Sequence, residues 1–192
     1  SLLKTAFEKM QVQARRAGQI IRGIQDFVKK REPRFAGLDL SDVIQETVGF
    51  LAADARESRV RIVVDVEPIK PVWADQILLE QVLINLVGNA LDAVGEQIAQ
   101  GRPAGIQLQI LRHETDGTAR LCMVVQDNGP GLANPERLLS TQAFQSTKAD
   151  GLGVGLAFAR LVVRQWGGEL TIENRQDGQH GVRATLSLPL PA

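Results

Sequence analysis

The stretch from Asp127 to Leu156 restricts what this chain can fold into more than any other. It begins Asp127-Asn128-Gly129-Pro130-Gly131 and closes Gly151-Leu152-Gly153-Val154-Gly155-Leu156, so five of the 18 glycines fall in two clusters. Glycine reaches positive φ and lets a ligand approach the backbone closely. The first cluster follows the apolar run Leu121-Cys122-Met123-Val124-Val125, and the second leads into a helical pattern. An acidic residue at a strand end, two glycine turns and a helix start read as a nucleotide site. A helix beginning after Gly153 would offer unpaired N–H groups to phosphate oxygens.

A second constraint lies upstream. Leu3, Phe7, Met10, Ala14, Ala17, Ile21, Ile24 and Val28 recur at alternating spacings of four and three, with polar residues between them. This heptad stripe predicts a helix about 37 Å long. A lone helix cannot bury such a face, so it calls for a partner helix. Packing on the chain's own domain is the alternative. Lys29, Lys30 and Arg31 complement the helix dipole at its C-terminus, and Glu32-Pro33 ends it.

The remaining elements follow from periodicity and punctuation. Ser41 to Glu57 predicts a helix capped by Asp39 or Ser41, and Val60 to Val66 a β-branched strand. Asp75 caps a helix running to about Gln100, apolar on more than one side. Gly101 to Gly105 is a loop. Strands follow at Ile106–Ile110 and Arg120–Gln126, joined through an Asp116-Gly117 turn. A helix from Val154 to Trp166 stops at Gly167-Gly168, and strands Leu170–Asn174 and Val182–Leu188 flank a turn at Gln176–Gly181. The pattern predicts an α+β fold. It is a two-layer sandwich with a mixed, antiparallel-rich sheet of about five strands, three helices on one face, and the N-terminal helix in addition.

Composition bounds the partners. Among 192 residues, Lys+Arg and Asp+Glu both total 22, which argues against a nucleic-acid partner met through a broadly basic surface. The single Cys122 excludes a disulfide framework and multi-cysteine metal sites, and reads as a small buried hydrophobe. No apolar run approaches the length needed to span a bilayer, and no signal-peptide pattern is present, so no direct membrane contact is expected.

Taken singly, the candidate residues stay ambiguous. Asn85 and Asn89 share a helix face in an otherwise apolar run, which is compatible with a Mg²⁺ ligand or with a structural amide network. Asp127 could accept from an adenine amine, or could hold its own loop as an Asx-turn. Lys148 could reach a phosphate or be a solvated loop lysine. The glycine run 151–155 lacks the preceding strand of a dinucleotide fingerprint.

Jointly they are more specific. Asn85-x-x-x-Asn89, Asp127-x-Gly129-x-Gly131, Phe144…Lys148 and Gly151-x-Gly153-x-Gly155 occur in that order. The set resembles the ATP-binding catalytic domain of bacterial sensor histidine kinases, in the gyrase, chaperone, histidine-kinase and mismatch-repair ATPase superfamily. It covers about Asp39 to Pro189, and the sequence from Gln81 to Ala93 is similar to that family's N box. The resemblance implies ATP and Mg²⁺ as cofactors, with Asn85, Asn89 and Lys148 in the catalytic centre and Asn89 on the metal. It implies Asp127 on the adenine amine, Gly129 and Gly131 shaping the base pocket, and Lys148, Gly151, Leu152, Gly153, Val154, Gly155 and Leu156 facing the phosphates. Residues 1–33 then resemble the second helix of the dimerisation and phosphoacceptor hairpin, and 34–192 the catalytic domain. The implied partners are a second copy, through the heptad helix, and a response-regulator receiver domain. The implied location is cytoplasmic, whether or not the parent protein is membrane-anchored.

Three departures accompany the resemblance. The acceptor-bearing first helix of the hairpin is absent from the sequence, so the chain alone is expected not to autophosphorylate. His113 and His180, the only histidines, lie in a strand end and a glycine-rich turn. Thr141 stands where a first F-box phenylalanine would fall, and Asp92 where many members carry a basic residue. Two other functions compete. An ATP-hydrolysing clamp would need a glutamate one turn before Asn89, where Asn85 stands, and Glu80 falls on about the opposite face. A degenerate nucleotide-binding or dimerisation module would bind without transferring.

Overall fold

A computed structural model describes residues 34–67, 71–99, 105–115, 118–133 and 154–190. The heptad segment, the basic run before Pro33, most of the 101–105 loop, the Asp116-Gly117 turn, Thr141, Phe144, Lys148, Gly151, Leu152 and Gly153 lie outside the described residues.

Strand β1 (Phe35–Leu38) leads into helix α1 (Leu40–Glu57). Asp39 caps that helix by accepting from the Ser41 N–H at 2.8 Å. Strands β2 (Arg61–Val66) and β3 (Val72–Asp75) precede the long helix α2 (Gln76–Ala99). Asp75 terminates β3 and caps α2 at once. Its Oδ1 accepts from Leu78 N–H at 3.1 Å, while Oδ2 accepts from Arg34 N–H at 2.7 Å. The expected caps at both helices are therefore present, and Asp75 additionally ties the entry of β1 to the start of α2.

Strands β4 (Gly105–Thr115) and β5 (Thr118–Asp127) pair antiparallel with Thr115 opposite Thr118. Helix α3 (Val154–Gln165), β6 (Glu169–Asn174) and β7 (Val182–Pro189) complete the chain. The α3 helix ends as its glycines require. Gly167 takes φ +70° and Gly168 N–H donates to Val163 O at 2.9 Å, closing the last turn.

The main sheet has the order β2-β4-β5-β7-β6, and only the β2–β4 pair is parallel. All five of its strands lie where alternation predicts them. The two that periodicity misses, β1 and β3, form a separate antiparallel pair. One face of the main sheet is apolar: Ile106, Leu108, Ile110, Leu121, Met123, Val125 and Leu186 are buried under the helices. There α2 packs on β4 and β5, α3 on β6 and β7, and α1 on β2 and α2. The opposite face carries half-buried Gln107, Gln109, Gln126 and Thr185.

Two expectations need correction. Cys122 is half-buried on that second face rather than in the core, with Sγ 3.9 Å from Ser187 Oγ. It falls on the alternate phase of a strand whose core row is Leu121, Met123 and Val125. Gln76–Gly95 is, by length and composition, apolar enough to cross a membrane, with a mean hydropathy of 1.5 over 20 residues. The same residues pack against α1, α3 and the sheet, as a core helix touched on several sides must.

Candidate functional site

Alternation along β5 continues the core-facing row Leu121, Met123, Val125 to Asp127, placing a carboxylate where the sheet stops. Asp127 is 4% exposed. Burial of a carboxylate demands donors, and two backbone groups supply them: Gly129 N–H at 2.7 Å and Val182 N–H at 3.2 Å, both to Oδ1. The first is the Asx-turn that the sequence allowed. Asn128 extends the sheet beside it, its Oδ1 accepting from Gly105 N–H at 2.8 Å and its N–H donating to Gly105 O.

The described glycines of the two clusters make room for the protein's own atoms. A Cβ on Gly129 would lie 2.8 Å from Asp127 Oδ1 and 3.2 Å from Ala93 on α2. One on Gly131, which takes φ +83°, would lie 2.9 Å from Asn174 Oδ1. One on Gly155 would lie 3.1 Å from Asn85 Oδ1. These contacts place α2 between the two clusters. Asn85 faces the first turn of α3 and donates to Gly155 O at 3.4 Å, while Ala93 faces the Gly129 turn. The two positions are eight residues apart, about 12 Å along the helix. Asn89 sits midway on the same face.

Asn89 and Asp92 are exposed and Asn85 is half-buried. The expectation of a buried amide pair is thus met only in part, at half-buried Asn85. Asn89 lies on the side of α2 that the core does not reach, where its carbonyl oxygen can meet a ligand. Among the described residues no group of three or more His, Cys, Asp or Glu side chains is placed to hold a metal.

Glu80 is placed away from this face. Gln76 Nε2 donates to Glu80 at 2.8 Å and to Glu46 of α1 at 3.0 Å. Desolvation raises the Glu80 carboxyl above the ordinary glutamate range, and the neighbouring Glu46 and Asp75 add to the rise. His180 is exposed in the β6–β7 turn. His113 pairs with Arg120 in the β4–β5 ladder. The backbone of Val154 opens α3, and Gly155 and Leu156 in its first turn are half-buried.

Sequence reasoning missed three residues that hold this site. Asn174, at the end of β6, accepts from Leu132 N–H at 2.6 Å and donates to Leu132 O at 3.0 Å. Arg175 donates to the Asp127 backbone carbonyl at 3.3 Å and pairs with Asp177. Gly181, with φ +131°, lies so close to Asp127 O that a Cβ there would sit 2.0 Å away. Their only signal in the sequence is an Asn-Arg pair before a polar turn that ends in glycine.

This arrangement, a two-layer sandwich in which a buried carboxylate with its glycine turn and the glycine-bearing start of α3 meet one face of α2, defines a class. The chain belongs to the family of histidine kinase-, DNA gyrase B-, and HSP90-like ATPases, whose profile matches residues 74–192. Within it, the chain is similar to the ATP-binding catalytic domains of sensor histidine kinases. It is 41% identical over 192 residues to the C4-dicarboxylate transport sensor protein DctS of Rhodobacter capsulatus, covering all of this chain and 28% of that protein. It is 32% identical over 185 residues to the sensor protein FixL of Bradyrhizobium diazoefficiens, covering 96% of this chain and 35% of that one. The chain thus spans about a third of the length of these relatives. The solved catalytic domain of histidine kinase ThkA superposes with a TM-score of 0.67 at 26% identity, over 82% of this chain and 96% of that one. ThkA in complex with the response regulator protein TrrA superposes with a TM-score of 0.73 at 23% identity, over 98% of this chain and 52% of that one, and shares the fold.

Proposed function

We propose that this chain is the part of a sensor histidine kinase that grips Mg-ATP and presents its γ-phosphate to a histidine on a helix beyond the sequence. The phosphoryl group would pass to the imidazole nitrogen, ADP would leave, and a receiver-domain aspartate of a response regulator would take the phosphate onward. The observation that carries this reading is the spacing along α2. Asn85 meets the start of α3 at one end, Ala93 meets the Asp127–Gly129 turn at the other, and exposed Asn89 lies between. A base held at Asp127 and phosphates held at the N-terminus of α3 would span that distance.

Each residue then has a task. The Asp127 carboxylate accepts from the adenine amine, which guanine lacks. Gly129 and Gly131 set the turn beside the base. The backbone from Gly151 to Leu156 and the Lys148 ammonium would serve the phosphates, where the α3 N-terminus would add unpaired donors. Asn89 offers its oxygen to Mg²⁺, whose charge would offset that of the phosphates. Asn85 anchors the start of α3 to α2. Residues 34–192 act as the catalytic unit. Residues 1–33 would supply one helix of a dimerisation hairpin, pairing with a second copy. The location that goes with this reading is the cytoplasm, where ATP is available. The placement of Glu80 against α1, and of Asn85 where a water-activating glutamate would stand, favours transfer over hydrolysis.

The test is incubation with γ-labelled ATP, with and without an added helical hairpin that carries an acceptor histidine. Label on the hairpin, and none on the chain alone, supports the reading. Rapid steady hydrolysis without an acceptor, or acid-labile phosphate on His113 or His180, refutes it.

A further inference from the structure

From the end of β6 we infer a positioning role for Asn174: its carboxamide holds the loop that follows Asp127 in the shape that binds the nucleotide base. The inference rests on the nucleotide site proposed above and adds a residue that lies outside both glycine clusters. Asn174 makes two bonds to one backbone unit, accepting from Leu132 N–H at 2.6 Å and donating to Leu132 O at 3.0 Å. That reciprocal pair imitates one rung of a β-ladder. It fastens a loop that has left the sheet back onto the last residue of a strand.

The anchor point matters. Asn174 is the rung partner of Val182, and Val182 N–H is a donor to the Asp127 carboxylate. The loop therefore has a fixed end at Asp127 and a second fixed end at Leu132, both referred to the same β6–β7 pair. The Asn174 carboxamide also fills the space beside Gly131, whose missing Cβ would fall 2.9 Å from Asn174 Oδ1. Gly131 is then a glycine because Asn174 must pass it, besides taking φ +83°. A loop held at one end only would sample many conformations, and the base would have to order it on binding.

Asn174 is itself exposed, so its truncation leaves the core intact. The test measures ADP binding by calorimetry on the whole chain, for the wild type, Asn174→Ala, Asn174→Asp and Asp127→Asn, each with a thermal melt. Asn174→Ala should weaken ADP about three- to tenfold, the worth of one to two exposed hydrogen bonds. Binding stoichiometry and Tm should stay near wild type, and exchange of the Leu132 amide proton in the free protein should quicken. Asn174→Asp keeps the acceptor for Leu132 N–H and sets a carboxylate against Leu132 O, so it should also bind less tightly than wild type while protecting that amide better than Ala does. Unchanged ADP affinity in Asn174→Ala, with Asp127→Asn impaired, would overturn the inference and leave the nucleotide site standing. A wild-type chain that binds no ADP would overturn both.

Discussion

Replacing Asp127 by asparagine separates the two tasks its carboxylate can perform. Oδ1 accepts from Gly129 N–H at 2.7 Å and from Val182 N–H at 3.2 Å, at a residue 4% exposed. Alanine would remove the acceptor from both donors. At about 1–3 kcal/mol for each buried group left unsatisfied, the fold would lose roughly 2–6 kcal/mol. That is a large share of the roughly 5–15 kcal/mol that stabilises a typical domain. Any loss of binding in Asp127→Ala would therefore be mixed with unfolding. Asparagine keeps a carbonyl oxygen that can take both N–H groups, so Asp127→Asn should cost only about 1–2 kcal/mol, the part due to charge assistance. Its amide nitrogen, however, would bring a donor where the adenine amine also donates. Losing a charge-assisted bond there costs about 1.5–3 kcal/mol, a roughly 10- to 150-fold rise in the Kd for ADP. The same amide can donate to the guanine carbonyl, so the preference for ADP over GDP should narrow. Calorimetry with both nucleotides beside a thermal melt reads all three quantities. If Asp127→Asn binds ADP as the wild type does while melting lower, the carboxylate is a turn residue only, and the proposed base contact is refuted.

Three further outcomes are expected. Asn89→Ala should weaken nucleotide binding in the presence of Mg²⁺ far more than in its absence; equal losses in the two conditions would make Asn89 a structural amide. Gly181→Ala forces a Cβ to 2.0 Å from Asp127 O at φ +131°. Strain and overpacking should together cost roughly 2–4 kcal/mol and lower Tm by roughly 5–15 °C. Gly178→Ala, at φ +78° with open space around it, should cost only about 1–2 kcal/mol, and equal melts for the two variants would show that the Asp127 contact is not what constrains Gly181.

Much of the fold was legible because its signals are local. The rows Ile106-Leu108-Ile110 and Leu121-Met123-Val125 alternate at the strand period, and the caps at Asp39 and Asp75 act within three residues. Strands β1 and β3 escaped because four residues carry too little periodicity, and because their pairing joins Phe35 to Asp75 across the whole of α1 and β2. The parallel pairing of β2 with β4 is likewise a tertiary choice that neither strand's own sequence announces. Asn89 misled for a related reason. Its neighbours in sequence, Leu86, Val87, Ala90 and Leu91, are buried, but a helix turns 100° per residue, and its own direction falls outside the packed arc.

The glycines illustrate a deeper limit. A glycine in a sequence states that a side chain is forbidden without stating what forbids it. The close approach of a ligand was the natural reading for Gly129, Gly131 and Gly155. In the structure the forbidden volumes belong to Asp127 and Ala93, to Asn174, and to Asn85. On the proposed reading the glycines would serve the nucleotide through the protein's own packing, by letting separate elements close on one loop and one helix start. That distinction has a consequence for substitution. Where a ligand occupies the space, adding a methyl group lowers affinity and spares the empty protein. Where Asn85 or Asn174 occupies it, the methyl group presses on a side chain of the free protein as well, so Gly155→Ala should shift Tm before any nucleotide is added, with the 3.1 Å approach to Asn85 Oδ1 set against the helix propensity of about 0.5–1 kcal/mol that alanine adds. Loss of affinity with an unchanged Tm would return Gly155 to the simpler role of making room for phosphate.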